Sequence, residues 1–283
     1  MQARVLARLL RQLALPDAVQ QEGVGGGCIS QAQRLTLSDG RQVFLKYHAQ
    51  APAGFFDAEA QGLAALSRNG GLPVPRVIAV CGQAIVLEWL EPGKPSQDYW
   101  ETLGHGLADV HRETAPCFGF TTDTFCGLTL QRNPWTEDGH AFFAQFRLQS
   151  QADRARQAGY LEAEDLRRLL RICGQLPHWI PRQPASLVHG DLWSGNVHTG
   201  PTGEPVLIDP AVHYGWAEAD MAMTRLFGGF PERFYRAYAE AGTLDAQWES
   251  RVPLYNLYHL LNHLNLFGRG YLGEVQTILR RFG

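Results

Sequence analysis

The order in which strand-like and helix-like segments follow each other constrains this chain most. Val19 to Leu37 reads as two strands around the turn Gly23-Val24-Gly25-Gly26-Gly27, and Arg41 to His48 reads as a third. Arg76 to Val80 and Ala84 to Trp89 supply two more. One helix is embedded among them, Phe55 to Arg68, stopped by Asn69-Gly70-Gly71. An N-terminal helix carries Val5, Leu6, Leu9, Leu10 and Leu13 at helical spacing. The punctuation Glu91-Pro92-Gly93 then closes the β-rich part. Beyond it the chain is mostly helical, with helices expected at Tyr99 to Thr114, Phe142 to Ala158, Glu162 to Leu176 and from Ala217 onward. Ala115 to Gly139 reads as a long irregular loop, a length that is usually functional or a misread element. The expectation is an α+β chain, a small sheet with one embedded helix followed by a larger helical part. At 283 residues a single core begins to split, so one large domain or two lobes is expected.

Composition removes several classes of function. The net charge is −3, whereas a general nucleic-acid binder needs a basic excess to neutralise phosphates. No apolar run approaches the ~20 residues that span a bilayer. The cysteines Cys28, Cys81, Cys117, Cys126 and Cys173 are odd in number and lack C-x-x-C spacing, so neither a disulfide framework nor a zinc site follows. His259 and His263 stand four apart on a helix, but no Glu separates them as in an H-E-x-x-H zinc site. A reducing compartment is the simpler reading, and a cytoplasmic location is expected. Of the 25 basic residues, only Lys46 and Lys94 are lysines, which makes each worth a question.

The strongest local segment is His189-Gly190-Asp191-Leu192-Trp193-Ser194-Gly195-Asn196, which fits H-x-D-L-x-x-x-N. In phosphoryl transfer an Asp in this position accepts the attacking hydroxyl's proton, and the Asn five residues later binds magnesium. Asp209 follows the apolar run Val206-Leu207-Ile208, where a carboxylate at a strand end suits a second magnesium ligand. Upstream, Lys46 closes Val43-Phe44-Leu45-Lys46, which reads like V-A-I-K and places an ammonium to pair the α- and β-phosphates of ATP. Glu59 lies on the following helix and is expected to hold that ammonium, with Asp57 as the competing partner. Gly25-Gly26-Gly27 forms a turn without side chains, upstream of Lys46, that lets backbone N–H groups approach phosphates. Taken alone, Lys46 reads as an edge-strand lysine and Glu59 as an exposed helix charge. Their shared order with Asp191, Asn196 and Asp209 points to one site. Lys94 reads as a surface linker residue.

Together these residues resemble the protein-kinase-like superfamily, and within it the chain resembles the fructosamine kinase / ketosamine-3-kinase family. The resemblance runs through Gly25-Gly26-Gly27-Cys28-Ile29-Ser30, His189 through Val197, Asp209-Pro210-Ala211, Tyr214-Gly215 and Phe227-Gly228-Gly229-Phe230. It continues in Asn262-His263-Leu264-Asn265 with Phe267-Gly268, and in the mid-chain Phe118-Gly119-Phe120, Cys126-Gly127, Asn133 and Trp135. Trp216-Ala217-Glu218-Ala219-Asp220 departs from many relatives, which touches substrate-side detail.

The resemblance implies a two-lobed fold, with residues 1–91 as a nucleotide-binding N-lobe and residues 92–283 as a catalytic C-lobe. It implies ATP-dependent phosphorylation of the sugar 3-hydroxyl of a ketosamine, free or on a glycated lysine, as a deglycation step with ATP and Mg2+ as cofactors. Under it, Asp191 takes the proton, Asn196 and Asp209 hold magnesium, Lys46 and Glu59 steady the phosphates, and Gly25, Gly26, Gly27 and Cys28 cover them. Adenine is expected at Glu88, Trp89 and Leu90. Trp193, His213, Tyr214, Trp216, Asn133 and Trp135 are expected on the substrate side, and His189 and Asp220 as supports. No nucleic-acid or membrane partner is expected, and the chain is expected as a monomer or homodimer. Two other readings stay open: a kinase for another small hydroxyl substrate, aminoglycoside or choline-like, and a non-catalytic nucleotide-binding scaffold.

Overall fold

Alternation of side chains along each strand decides how the N-terminal part folds. The structure, a computed structural model, describes residues 1–25, 30–241 and 244–283. After α1 (Ala3–Gln12), the strands β1 (Ala18–Gly23), β2 (Gln31–Leu37), β3 (Gln42–Tyr47), β4 (Val77–Cys81) and β5 (Ala84–Glu88) form one sheet in the order β1-β2-β3-β5-β4. Every pairing in it is antiparallel. Leu6, Leu9 and Leu10 of α1 pack with Leu35, Leu37, Val43 and Leu45 on one face. On the other face α2 (Phe55–Leu66) sets Phe56 and Leu63 against Ile85, Leu87 and Phe44. Along β3, Val43 and Leu45 therefore face α1, while Phe44 and Lys46 face α2. The period of two puts the Lys46 ammonium on the same side as Glu59, and a one-residue slip in register would turn it away.

The larger part begins with α3 (Tyr99–His111) and the short strand β6 (Thr114–Ala115). The segment expected as an irregular loop contains a hairpin, β7 (Thr124–Cys126) and β8 (Thr129–Gln131), held by Gln131 Nε2 donating to Thr124 Oγ1 at 2.9 Å. Strands of three residues carry no readable periodicity, which is why the sequence shows only Gly, Thr and aromatics here. Next come α4 (Gly139–Phe143), a π-helical turn over Ala144–Gln149 and α5 (Ser150–Gln157), in place of one uniform helix. The widened turn carries Arg147, which is 1% exposed. Then follow α6 (Ala163–Trp179), β9 (Ala185–Val188), the hairpin β10 (Val197–Thr199) and β11 (Pro205–Leu207), and β12 (His213–Gly215). β9 lies between β12 and β6 in a small antiparallel ribbon. The chain ends in α7 (Ala217–Arg225), α8 (Glu232–Glu240), α9 (Trp248–Phe267) and α10 (Leu272–Phe282). α9 is the core helix: Leu254, Tyr255, Leu257, Tyr258, Leu260, Leu261 and Leu264 are all buried. The fold is the expected α+β arrangement, an antiparallel sheet with its helices beside a mainly helical part.

Among the described residues, no helix is long and apolar enough to cross a membrane. Cys81, Cys117, Cys126 and Cys173 are free thiols.

α3 and α8 pack at a glycine. A Cβ at Gly104 would lie 2.6 Å from the Phe234 carbonyl oxygen and 2.9 Å from Ala237 Cβ. Two helix backbones meet there with no room for a methyl group. Gly104→Ala is expected to destabilise by about 1–3 kcal/mol despite its better helix propensity. Thermal unfolding followed by circular dichroism measures this; an unchanged or higher Tm would refute the packing argument.

Candidate active site

β9 is buried along its whole length and delivers His189, Gly190 and Asp191 to a sharp turn. Gly190 has φ +81°, and a Cβ there would stand 2.2 Å from the Ala211 carbonyl oxygen, so only glycine fits. The turn is tied from below by Asp220 of α7, which is 1% exposed. Its carboxylate accepts from the N–H of His189 at 2.6 Å and of Gly190 at 2.8 Å. His111 Nε2 lies 3.2 Å from the same group, and His111 Nδ1 lies 2.6 Å from Tyr238 Oη. Burial pushes the Asp220 pKa up, but the His111 bond and the Gly190 N–H, with the His111 and His189 rings alongside, more than offset this and hold it below the usual range. His189 Nδ1 accepts from the Asp191 N–H at 3.3 Å, so Nε2 carries the proton and donates to the Ile208 carbonyl at 2.9 Å. Burial lowers the His189 pKa, which suits this neutral ring. Ile208 N donates to Asn196 O at 3.1 Å and Ala211 N to His189 O at 2.8 Å, so the two loops bearing Asp191 and Asp209 are stitched together.

Five of the expected residues converge above this base. Asn196 Nδ2 donates to the Asp191 carbonyl at 2.8 Å and reaches its Oδ2 at 3.3 Å. Among the described residues nothing donates to Asn196 Oδ1, which leaves an oxygen free for a ligand. Asp209 follows β11 and adopts φ +55°, a left-handed conformation that Asp tolerates better than most residues. Lys46 Nζ donates to Glu59 Oε1 at 2.7 Å and also to Asp209 Oδ1, across 163 residues of sequence. Asp57, the competing partner, is exposed. Burial opposes the Lys46 charge, but the Asp209 and Glu59 carboxylates outweigh it, and the ammonium is held firmly protonated. Asp191 has its side chain 20% exposed. Burial, then the Asp209 charge, raise its pKa to about 7, against the pull of the Asn196 bond. Asn196, Asp191 and Asp209 together offer hard oxygen donors of the kind that magnesium selects.

The other expected residues divide. Glu88, at the end of β5, accepts from Arg76 N at 2.7 Å, while Trp89 meets Phe44 at a tilt, with ring centroids 6.3 Å apart, and lies beneath the Arg34 guanidinium. Gly25 has open space where a Cβ would sit, while Gly26, Gly27 and Cys28 lie outside the described residues. Trp193 is half-buried beside Asp191 and meets Phe227 edge-on at 6.1 Å. Trp135 is 50% exposed and rests on Tyr214, whose hydroxyl donates to Glu113 at 2.6 Å.

Asn133, His213 and Trp216, expected on the substrate side, are all interior. Asn133, 2% exposed, holds Thr124 and accepts from Arg147 at 2.7 Å. His213, 8% exposed, lies against Phe142 and Gln131, and burial holds its ring neutral. Trp216 packs among Phe118, Phe143, His140 and Tyr255. Sequence reasoning also missed His111, which reads only as the end of a helix, and His259, whose Nδ1 stands 3.8 Å from Asp191 Oδ1.

The Asp220 geometry gives a stability test with a definite sign. Its folded pKa lies below the unfolded one, so its contribution is fully present above the unfolded value of about 3.9 and fades as pH falls through the folded value. Asp220→Asn is expected to cost about 2–4 kcal/mol at neutral pH, with the difference from wild type shrinking in acid. Urea unfolding at two pH values checks this; a difference that grows in acid would refute it.

The family signature described as fructosamine kinase matches residues 1–282. The ketosamine-3-kinase of Mus musculus is 34% identical over 305 residues, covering 96% of this chain and 97% of that protein. A Synechocystis protein named "Probable ketoamine kinase" is 42% identical over 272 residues, covering 93% of this chain and 90% of its own. Among solved structures, the "putative fructosamine-3-kinase" of Thermobifida fusca superposes with a TM-score of 0.88 at 34% identity, covering 99% of this chain and 98% of its own. With that match over nearly its whole length, and with the Lys46, Glu59, Asp191, Asn196 and Asp209 cluster at its centre, this chain belongs to the fructosamine kinase family.

Proposed function

We propose that this protein transfers the γ-phosphoryl group of ATP to the sugar 3-hydroxyl of a ketosamine. The observation that carries the reading is the convergence of Lys46, Glu59, Asp209, Asn196 and Asp191, contributed by the sheet, its helix and two loops of the helical part. The substrate class follows the relatives named ketosamine-3-kinase and ketoamine kinase.

In this reading Asp191 accepts the hydroxyl proton as the sugar oxygen forms its bond to the γ-phosphorus. The bond to the β–γ bridging oxygen breaks, and its electron pair leaves with ADP. Asn196 and Asp209 are the residues that hold magnesium, which supplies charge neutralisation on the transferring group when bound. Lys46 pairs the α- and β-phosphates, and Glu59 keeps its ammonium aimed and charged. Gly25, with Gly26, Gly27 and Cys28, covers the phosphates, and the backbone of Glu88 to Leu90 takes adenine. Trp193, beside Asp191 on the same loop, offers a flat face to the sugar. His189 and Asp220 fix the loop that carries Asp191. No covalent bond to the protein forms, so positioning and electrostatics supply the acceleration. We place the protein in the cytoplasm, in keeping with its free thiols.

Purified protein with ATP and magnesium, offered fructosyl and ribulosyl amines beside aminoglycosides, tests the reading. Phosphorylation of the ketosamines and not of the aminoglycosides is expected, and the reverse would move the protein to another substrate class. Asp191→Asn is expected to lower kcat by about 10²–10⁴-fold while nucleotide affinity, read by calorimetry, stays near wild type. Turnover near wild type in that variant would remove Asp191 as the proton acceptor. Only the ionised carboxylate accepts a proton, so kcat/KM is expected to fall with decreasing pH through an acid limb above the ordinary Asp value of about 3.9. An acid limb at or below that value would contradict the raised pKa.

A further inference from the structure

Asp191 has a second neighbour that phosphoryl transfer does not use. His259 lies on α9, is 5% exposed, and its Nδ1 has no hydrogen-bond partner. That nitrogen is aimed at Asp191 Oδ1, 3.8 Å away. Leaving a buried nitrogen of this kind unpaired is unfavourable, so it invites a ligand. Cys126, at the end of β7 and 2% exposed, stands on the third side. One donor atom from each of Cys126, Asp191 and His259 falls within 4.8 Å of the other two. The arrangement is anchored by α9 itself: Asn262, one turn beyond His259, donates its Nδ2 to the Cys126 carbonyl at 3.1 Å and to Sγ at 3.3 Å. His263 is not part of it, because its Nδ1 is bonded to the His259 carbonyl at 2.8 Å.

A thiol, an imidazole and a carboxylate from three separate elements make a donor set for zinc-like cations. Magnesium, a hard ion that prefers oxygen and keeps its water, is poorly served by sulfur. Donor atoms around a tetrahedral zinc lie roughly 3.5 Å apart, given bonds of about 2.0–2.3 Å, so closure needs a shift of about 1 Å. We propose that Cys126, Asp191 and His259 form a binding site for a thiophilic divalent cation, and that its occupancy stops phosphoryl transfer by engaging Asp191. The inhibitory part rests on the reading of Asp191 as the proton acceptor. Binding exchanges the Cys126 thiol proton, released to solvent, for a sulfur–metal bond, with no change of oxidation state. The partial exposure of Asp191 leaves the fourth position to water from the cleft.

Two readouts on the full-length protein separate the site from its consequence. Cobalt(II) added to wild type is expected to give a near-ultraviolet thiolate-to-metal absorption band, and zinc to inhibit transfer at saturating magnesium and ATP. Cys126→Ser is expected to lose the band, to keep its turnover without zinc, and to need at least about tenfold more zinc for half-inhibition. His259→Gln is expected to weaken cobalt binding by a similar factor, which guards against a fault particular to the cysteine variant. A band of undiminished strength in Cys126→Ser, or zinc inhibition of equal potency in both variants, would overturn the proposal. A cobalt band that Cys126→Ser abolishes, without any zinc inhibition of the wild type, would keep the metal site and overturn its inhibitory effect, while the role given to Asp191 is decided separately by the turnover of Asp191→Asn.

Discussion

A single buried carboxylate sets the geometry on which the site depends. Asp220 sits in the interior, where an unpaired charge is prohibitively unfavourable. It is rendered tolerable by the N–H groups of His189 and Gly190 and by His111. The loop must therefore come to the carboxylate, and that fixes where Asp191 stands. Gly190 lets the backbone turn tightly enough, because a side chain there would strike Ala211. His189 then extends the restraint to Ile208, just before Asp209. One anion in α7 thus locates two loops that are distant in sequence.

The second organising fact is an excess of negative charge. Glu59, Asp191, Asp209 and Asp220 all stand in or beneath the site, and Lys46 is the ammonium that two of them, Glu59 and Asp209, bind. Lys46 is shared between Glu59 and Asp209, and the latter bond joins the sheet to the helical part. Among the described residues no cation pairs with Asp191, and burial, followed by the Asp209 charge, raises its pKa. A carboxylate poised in this way takes a proton more readily than an ordinary one. The same excess of oxygen donors favours divalent cations, whose identity depends on which neighbours join: amide and carboxylate oxygens on the Asn196 side, sulfur and imidazole on the Cys126 side.

Much of this was legible in the sequence, for definite reasons. Lys46 closes a strand that reads like V-A-I-K and Glu59 lies on the helix that follows, so their pairing could be expected from order and spacing before any contact was known. Asp191 and Asn196 share a short loop, and Asp209 follows an apolar strand, so local spacing sufficed. Features that depend on contacts between distant segments were not legible. Only the Gly127-Leu128 turn hints at the hairpin over Thr124 to Gln131, since its strands are three residues long and too short to show alternation. Asn133, His213 and Trp216 have polar or amphipathic side chains that suit a cleft as well as a core, and only the packing around Arg147 and Tyr255 decides between them. His259 and Cys126 are 133 residues apart, and the H-E-x-x-H template looks for partners only within one helix.

Lys46 also has a meaning for carbonyl chemistry. A primary amine attacks a sugar aldehyde only when it has shed its proton and can reach solvent. The Lys46 side chain is 12% exposed and is kept as an ammonium by two carboxylates, so it fails on both counts. The only other lysine, Lys94, is exposed. The arginines that make up the rest of the basic residues lack an amine of this kind. A protein assigned to the repair of sugar-modified amines therefore offers sugars a single accessible lysine side chain, and that lysine lies outside the cluster that performs the chemistry.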